Sequence, residues 1–167
     1  MLQIMEFKFS ELTSKKERSK KLDLIVEQEI IELPGEEIKI LEPIKFDGEL
    51  KMVDDVVSLY GNITTKLELE CSRCLKNFSI DVNTDIDEKF SNNYKEDDSI
   101  ALIEGDILDV ADAIVSNVIS TLPIKRLCVE QCKGLCQQCG ADLNIEKCRC
   151  DDSNIDIRFE KLKDLFN

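Results

Sequence analysis

Eight cysteines in a chain of 167 residues carry most of the chemistry this sequence offers, and they fall into four close pairs: Cys71/Cys74, Cys128/Cys132, Cys136/Cys139 and Cys148/Cys150. A Cys-x-x-Cys bite brings two thiolates to one ion from a tight turn, and a tetrahedral zinc takes two such bites. In Cys136-Gln137-Gln138-Cys139-Gly140 the glycine allows the left-handed backbone that turns an amide toward sulfur. Cys148-Arg149-Cys150 follows eight residues later and supplies the other half, so a four-cysteine zinc site closes within 15 residues. Cys71-Ser72-Arg73-Cys74 needs two further donors from far along the chain. Cys128 and Cys132 are the natural ones, which makes two structural zinc sites the expectation. A single zinc, or Cys132 joining the knuckle at Cys136, are the pairings that spacing also leaves open.

The missing residues narrow the chemistry further. The chain has no histidine, which removes the usual general base, the Ser-His and Cys-His nucleophile pairs and every imidazole ligand. A redox Cys-x-x-Cys opens a helix whose N-terminus acidifies the thiol; the residues after Cys74, Leu75 to Asp87, alternate as a strand. A catalytic zinc keeps one position open, whereas an all-cysteine site is closed. The carboxylates lie on alternating strands and turns and form no recognisable metal-binding set. The expectation is a protein without catalytic residues and without a small-molecule substrate.

Charge speaks to partners. Lys and Arg number 22 against 35 Asp and Glu, a net charge of −13 that argues against a broad grip on phosphate backbones. The balance is uneven: residues 1–21 carry +3, residues 22–124 carry −16, and residues 125–167 are neutral. The acidic middle reads either as a solvated face or as a surface for a basic protein. Arg73, Lys125, Arg126, Lys133, Lys147 and Arg149 sit around the cysteines. They offset thiolate charge, or they form a local edge able to touch RNA.

The elements that must position the cysteines follow from periodicity. Ile4 to Phe9 alternates as a first strand, and Pro34-Gly35 marks a turn. Ile44, Phe46, Leu50 and Met52 share one face of a strand, Asp54-Asp55 turns the chain, and Ile63, Thr65, Leu67 and Leu69 hold period two on the return. Phe78, Ile80, Val82, Thr84 and Ile86 repeat the pattern. From Asp106 the period becomes helical through Leu108, Ala111, Val115, Val118, Ile119 and Leu122, with Asp106 or Asp109 near the N-terminus and Pro123 as the stop. The expectation is an α+β fold: a meandering, barrel-like antiparallel sheet of five to seven strands covered by one amphipathic helix of about four turns. Residues 1–124 would form this part. Residues 125–167 would form a cysteine-rich zinc-knuckle segment and a short terminal helix over 157–166. No stretch reads as a signal peptide or a spanning helix, which places the protein in the cytoplasm, where close cysteines bind metal rather than pair.

The run Cys128-Val-Glu-Gln-Cys132-Lys-Gly-Leu-Cys136-Gln-Gln-Cys139-Gly-Ala-Asp-Leu-Asn144, then Cys148-x-Cys150, together with Leu69-Glu-Cys71-Ser-Arg-Cys74-Leu and Leu122-Pro-Ile, resembles the bacterial DUF177/YceD family over residues 60–165. Members are described as large ribosomal RNA subunit accumulation proteins. The resemblance implies a non-enzymatic role in 23S rRNA accumulation or processing during large-subunit biogenesis. It also implies a partner in the large-subunit precursor or in a basic ribosomal or assembly protein. The competing expectation is a zinc-thiolate redox switch that acts on a protein partner.

Overall fold

The computed structural model describes residues 6–10, 19–93, 98–103 and 105–150. Two compact units emerge: the first draws on Met1–Leu69 and Asn77–Arg126, the second on Glu70–Lys76 and Leu127–Asn167.

The described residues of the first unit include eight strands and the helix that follows them. The strands are β1 (Glu6–Lys8), β2 (Ser19–Val26), β3 (Ile30–Leu33), β4 (Glu36–Val53), β5 (Val56–Glu70), β6 (Asn77–Ser91), β7 (Ile100–Leu102) and β8 (Ile107–Asp109); the helix, α1, spans Val110–Ser120. Six strands make one sheet in the order β2-β4-β5-β6-β7, with β3 also paired to β4. β2 lies against residues 44–51 of β4 and β3 against 36–39, so two short strands share one edge of a long one. β1 and β8 pair separately, with Phe7 opposite Leu108.

Period two decides which face is apolar. Ile38, Ile40, Ile44, Phe46, Leu50 and Met52 of β4 are all buried, and their partners on β5 include Leu67, Ile63, Leu59 and Val57. Two register shifts interrupt this ladder around Pro43, between Ile40 and Glu42 and between Glu42 and Lys45. Proline donates no ladder hydrogen bond, so a bulge is where a long strand tolerates one. One shift would flip every later side chain to the other face. Two shifts restore parity, which is why Ile40 and Ile44 both face the core.

Phe46 is fully buried between neighbouring strands, and the pair Gly48↔Gly61 makes room for it. A Cβ on Gly48 would lie 2.5 Å from the Phe46 ring, and one on Gly61 2.5 Å from the Asp47 carbonyl oxygen. The bare backbone of two facing glycines is the floor of the aromatic slot.

α1 opens on Asp109, whose carboxylate accepts from the Ala111 amide at 2.9 Å and the Asp112 amide at 3.3 Å, satisfying donors that the first turn leaves free. Its buried residues Val110, Ala111, Ala113, Ile114, Val115 and Val118 join the sheet side chains in one core.

The expected α+β class holds, and the structure corrects its details. The sheet is open among the described residues, not barrel-like, and it is not wholly antiparallel because β7 runs parallel to β6. The helix is 11 residues long and excludes Leu108, which pairs in β8 because the Asp109 cap starts the helix after it. The terminal helix expected over 157–166 lies outside the described residues. No described helix is long and apolar enough to cross a membrane.

Candidate metal centre

The second unit is built around sulfur. Its first knuckle is the turn between β5 and β6, where the Leu75 amide donates to the Cys71 carbonyl and the Cys71 amide to the Lys76 carbonyl, each at 2.9 Å. The second knuckle repeats the pattern: the Gly140 amide donates to the Cys136 carbonyl at 2.9 Å, and the Cys136 amide to the Ala141 carbonyl at 2.8 Å. Both turns place the residue after the second cysteine in the left-handed region, with φ of 75° at Gly140 and 58° at Leu75. Glycine takes that conformation freely and leucine does not.

These turns gather the eight cysteines into two sets, Cys71/Cys74/Cys128/Cys132 and Cys136/Cys139/Cys148/Cys150, with the four sulfurs of each set within 4.8 Å of one another. A zinc with four sulfurs at about 2.3 Å spaces them about 3.8 Å apart along each tetrahedral edge. The Sγ separations are 3.8 Å for Cys71–Cys132 and 3.6 Å for Cys74–Cys128. In the second set they are 3.2 Å for Cys136–Cys148, 3.9 Å for Cys136–Cys150 and 3.6 Å for Cys139–Cys148. All eight cysteines are free, and these separations far exceed the roughly 2.05 Å of a disulfide. Each set could hold a metal ion, and the all-thiolate donors suit a soft, tetrahedral one.

Packing leads to the same reading. Among the described residues of this unit, the only buried side chains are Cys71, Cys74 and Cys132. The described part of the unit has no apolar core, and a metal in each set could supply the stability that burial does not.

Within each set the thiols shift one another's ionisation in opposite directions. Cys136 is lowered to about 6, first by the Cys139 amide and then by the Cys148 thiol and the Gln138 amide. Burial raises Cys71, but donation from the Cys128, Cys74 and Arg73 amides outweighs it and brings the thiol to about 6. Cys128 is pushed up to about 12, by burial first and then by its three cysteine neighbours. Cys150 is raised, chiefly by Cys148. One thiolate in a cluster penalises the next, and a divalent ion at the centre reverses that penalty.

The basic residues that the sequence singled out are in different states. The Arg73 guanidinium donates to the Cys132 carbonyl at 2.6 Å. Arg126 belongs to the first unit and pairs with Glu36 of β4, so it is already committed. Arg73, Lys133 and Lys147, with Gln131 and Glu146, line a groove of about 600 Å³ that also reaches Cys132 and Cys148. Spacing did not reveal Lys76, Asp142 and Asn144. The Lys76 ammonium pairs with Asp142 at 2.5 Å and, with help from the Asn144 amide groups, holds that carboxyl at about 2. Asn144 donates to Cys132 Sγ at 3.4 Å. The Asp-x-Asn spacing of an Asx turn was the available signal.

The fold and its two four-cysteine clusters define a sheet-rich α+β protein with a cysteine-built unit. Residues 59–166 match the family model described as large ribosomal RNA subunit accumulation protein YceD, and the chain belongs to that family. Among its relatives, the uncharacterized protein ML1660 of Mycobacterium leprae is 29% identical over 140 residues, covering 78% of this chain and 64% of that protein. The uncharacterized protein Rv2926c of Mycobacterium tuberculosis is 27% identical over 125 residues, 71% of this chain and 60% of its own length. The chain thus spans less than two thirds of these mycobacterial relatives. The uncharacterized protein YlbN of Bacillus subtilis is 23% identical over 165 residues, 96% of both chains. No solved structure matches the chain.

Proposed function

We propose that this protein is a non-enzymatic factor supporting 23S rRNA accumulation in large ribosomal subunit biogenesis in the cytoplasm, held in shape by two structural zinc ions. Cys71, Cys74, Cys128 and Cys132 would hold one ion, and Cys136, Cys139, Cys148 and Cys150 the other. The observation that carries the role is membership of the YceD family over residues 59–166, the span that contains every cysteine. The sites support a scaffold over a catalyst, since four thiolates fill a tetrahedral ion and leave no position for substrate.

The contact with the precursor particle falls to the cysteine unit. Its groove presents Arg73, Lys133 and Lys147 against one lining carboxylate, Glu146, while the chain as a whole carries −13. A local cationic groove can meet RNA phosphate where the rest of the surface is repelled. The acidic sheet is left to face a basic ribosomal or assembly protein.

Depletion should lower mature 23S relative to 16S rRNA, and the tagged protein should co-sediment with large-subunit precursors. Replacing Arg73, Lys133 and Lys147 together by Gln should weaken that co-sedimentation at unchanged metal content. A normal 23S to 16S ratio after full depletion would sink the proposed role.

A further inference from the structure

The loop between Cys139 and Cys148 belongs to the second cysteine set by its ends and touches the first set by its middle. Asp142 and Asn144 make the connection. One Asp142 carboxylate oxygen accepts from the Asn144 backbone amide at 2.9 Å and from its side-chain amide at 2.8 Å, which closes the loop on itself. The other oxygen pairs with Lys76, two residues beyond Cys74. The Asn144 side chain donates to the sulfur of Cys132 at 3.4 Å and accepts from the Lys133 amide at 2.8 Å. Backbone bonds brace the same approach: Leu143 donates to the Gly134 carbonyl at 3.0 Å, and Leu135 donates to the Arg73 carbonyl at 3.1 Å. Gly134 permits this closeness, because a Cβ there would lie 2.9 Å from the Arg73 carbonyl oxygen.

We infer that the two four-cysteine sites load metal as a coupled pair, with Asn144 as the positioning residue that transmits the coupling. A metal-bound thiolate keeps negative charge on sulfur, and an amide donor aimed at it stabilises the loaded form. Asn144 is aimed at Cys132 only while its loop is closed, and the loop closes when Cys139 and Cys148 share an ion. Loading the second site therefore prepares the first. Linkage makes the effect reciprocal: an ion at the first site fixes Cys132 and the residues beside Cys74, and so holds Asp142 and Asn144 in place for the second. Outer partners of metal ligands are worth about 10–100-fold in affinity, which sets the expected size. The inference rests on reading both clusters as metal sites and is independent of the ribosomal role.

The test is a cobalt(II) titration of the reduced, metal-free full chain, followed by thiolate-to-cobalt charge transfer and by the ligand-field bands of tetrahedral cobalt. Disabling the second site with Cys139→Ser and Cys150→Ser should weaken cobalt binding at the first by about tenfold or more. Disabling the first with Cys74→Ser and Cys128→Ser should weaken the second by the same factor. In an Asn144→Ala, Lys76→Met background the two sites should become independent, each indifferent to whether the other is intact. Asn144→Ala alone should also move the charge-transfer band of the first site to lower energy, because Cys132 loses an amide donor. Far-UV circular dichroism of the sheet reports folding separately in every variant. Two cobalt ions bound with full tetrahedral spectra but without mutual influence would overturn the coupling and leave the metal reading standing. Coupling of undiminished size in the Asn144→Ala, Lys76→Met background would overturn the assigned route, and failure to bind cobalt at all would overturn both.

Discussion

At the scale of single residues, the two knuckles differ in one informative place. Their backbone hydrogen bonds match, yet one carries Gly140 at the left-handed position and the other Leu75. Leucine there costs about 1 kcal/mol relative to glycine, and the side chain recovers little because it is 59% exposed. Leu75→Gly should therefore stabilise the loaded protein by about 0.5–1 kcal/mol, and Gly140→Ala should destabilise it by a similar amount. Denaturant titrations of the metal-loaded chain, followed by thiolate–metal absorbance, read both, and a loss of stability on Leu75→Gly would contradict the strain. The cysteines were legible because ligand spacing is a local property. Asn144 and Asp142 were not, because their targets, Cys132 and Lys76, lie 12 and 66 residues away along the chain.

At the scale of elements, alternation identified the buried faces of β4 and β5, and Ile44, Phe46, Leu50 and Met52 lie where period two puts them. Periodicity says which face is apolar but not which edges meet. β3 meets β4 in a local hairpin, but β2 joins the same edge through pairs such as Ser19 with Lys51, far apart in sequence, and alternation does not announce the three-residue parallel pairing of β7 with β6. The expected barrel failed at that step. Of the two starts the sequence offered for the helix, Asp106 and Asp109, the structure selects Asp109: Leu108 continues the apolar stripe, yet the Asp109 cap decides where the helix begins. The glycine floor under Phe46 offers a sharp test of the sheet. Gly61→Ala should cost about 1–3 kcal/mol in urea denaturation, since its Cβ meets backbone as well as the ring. Adding Phe46→Leu should cost less in that background than in the native one, because the smaller side chain vacates the contested space. Additive losses would mean that the ring does not occupy the space between the two glycines.

At the scale of the whole molecule, the two units differ in what holds them. Every member of the apolar core, from Phe9 on to Val118, belongs to the first unit. The described part of the second offers three buried cysteines in its place. Apart from Leu135 to Arg73, its backbone hydrogen bonds, such as Cys136 to Ala141 and Leu143 to Gly134, are short-range links across turns. The described part of this unit offsets little chain entropy by apolar burial, and metal in the two cysteine sets could make up the difference, whereas the sheet with its helix has a core to stand on. Stripping metal with a strong chelator under reducing conditions should therefore melt one unit and spare the other. Amide resonances of Gly134, Gly140 and Asn144 should collapse to random-coil positions, while methyl signals of Ile44, Leu59 and Ile114 keep their native shifts. Restoring zinc should return the lost resonances at two equivalents per chain. Because Cys71 and Cys74 close the turn between β5 and β6, the sheet should lose some stability near that end without unfolding. Simultaneous loss of all the methyl shifts on chelation would mean that the first set of thiolates is a keystone of the sheet itself, and that the apolar core alone does not hold it.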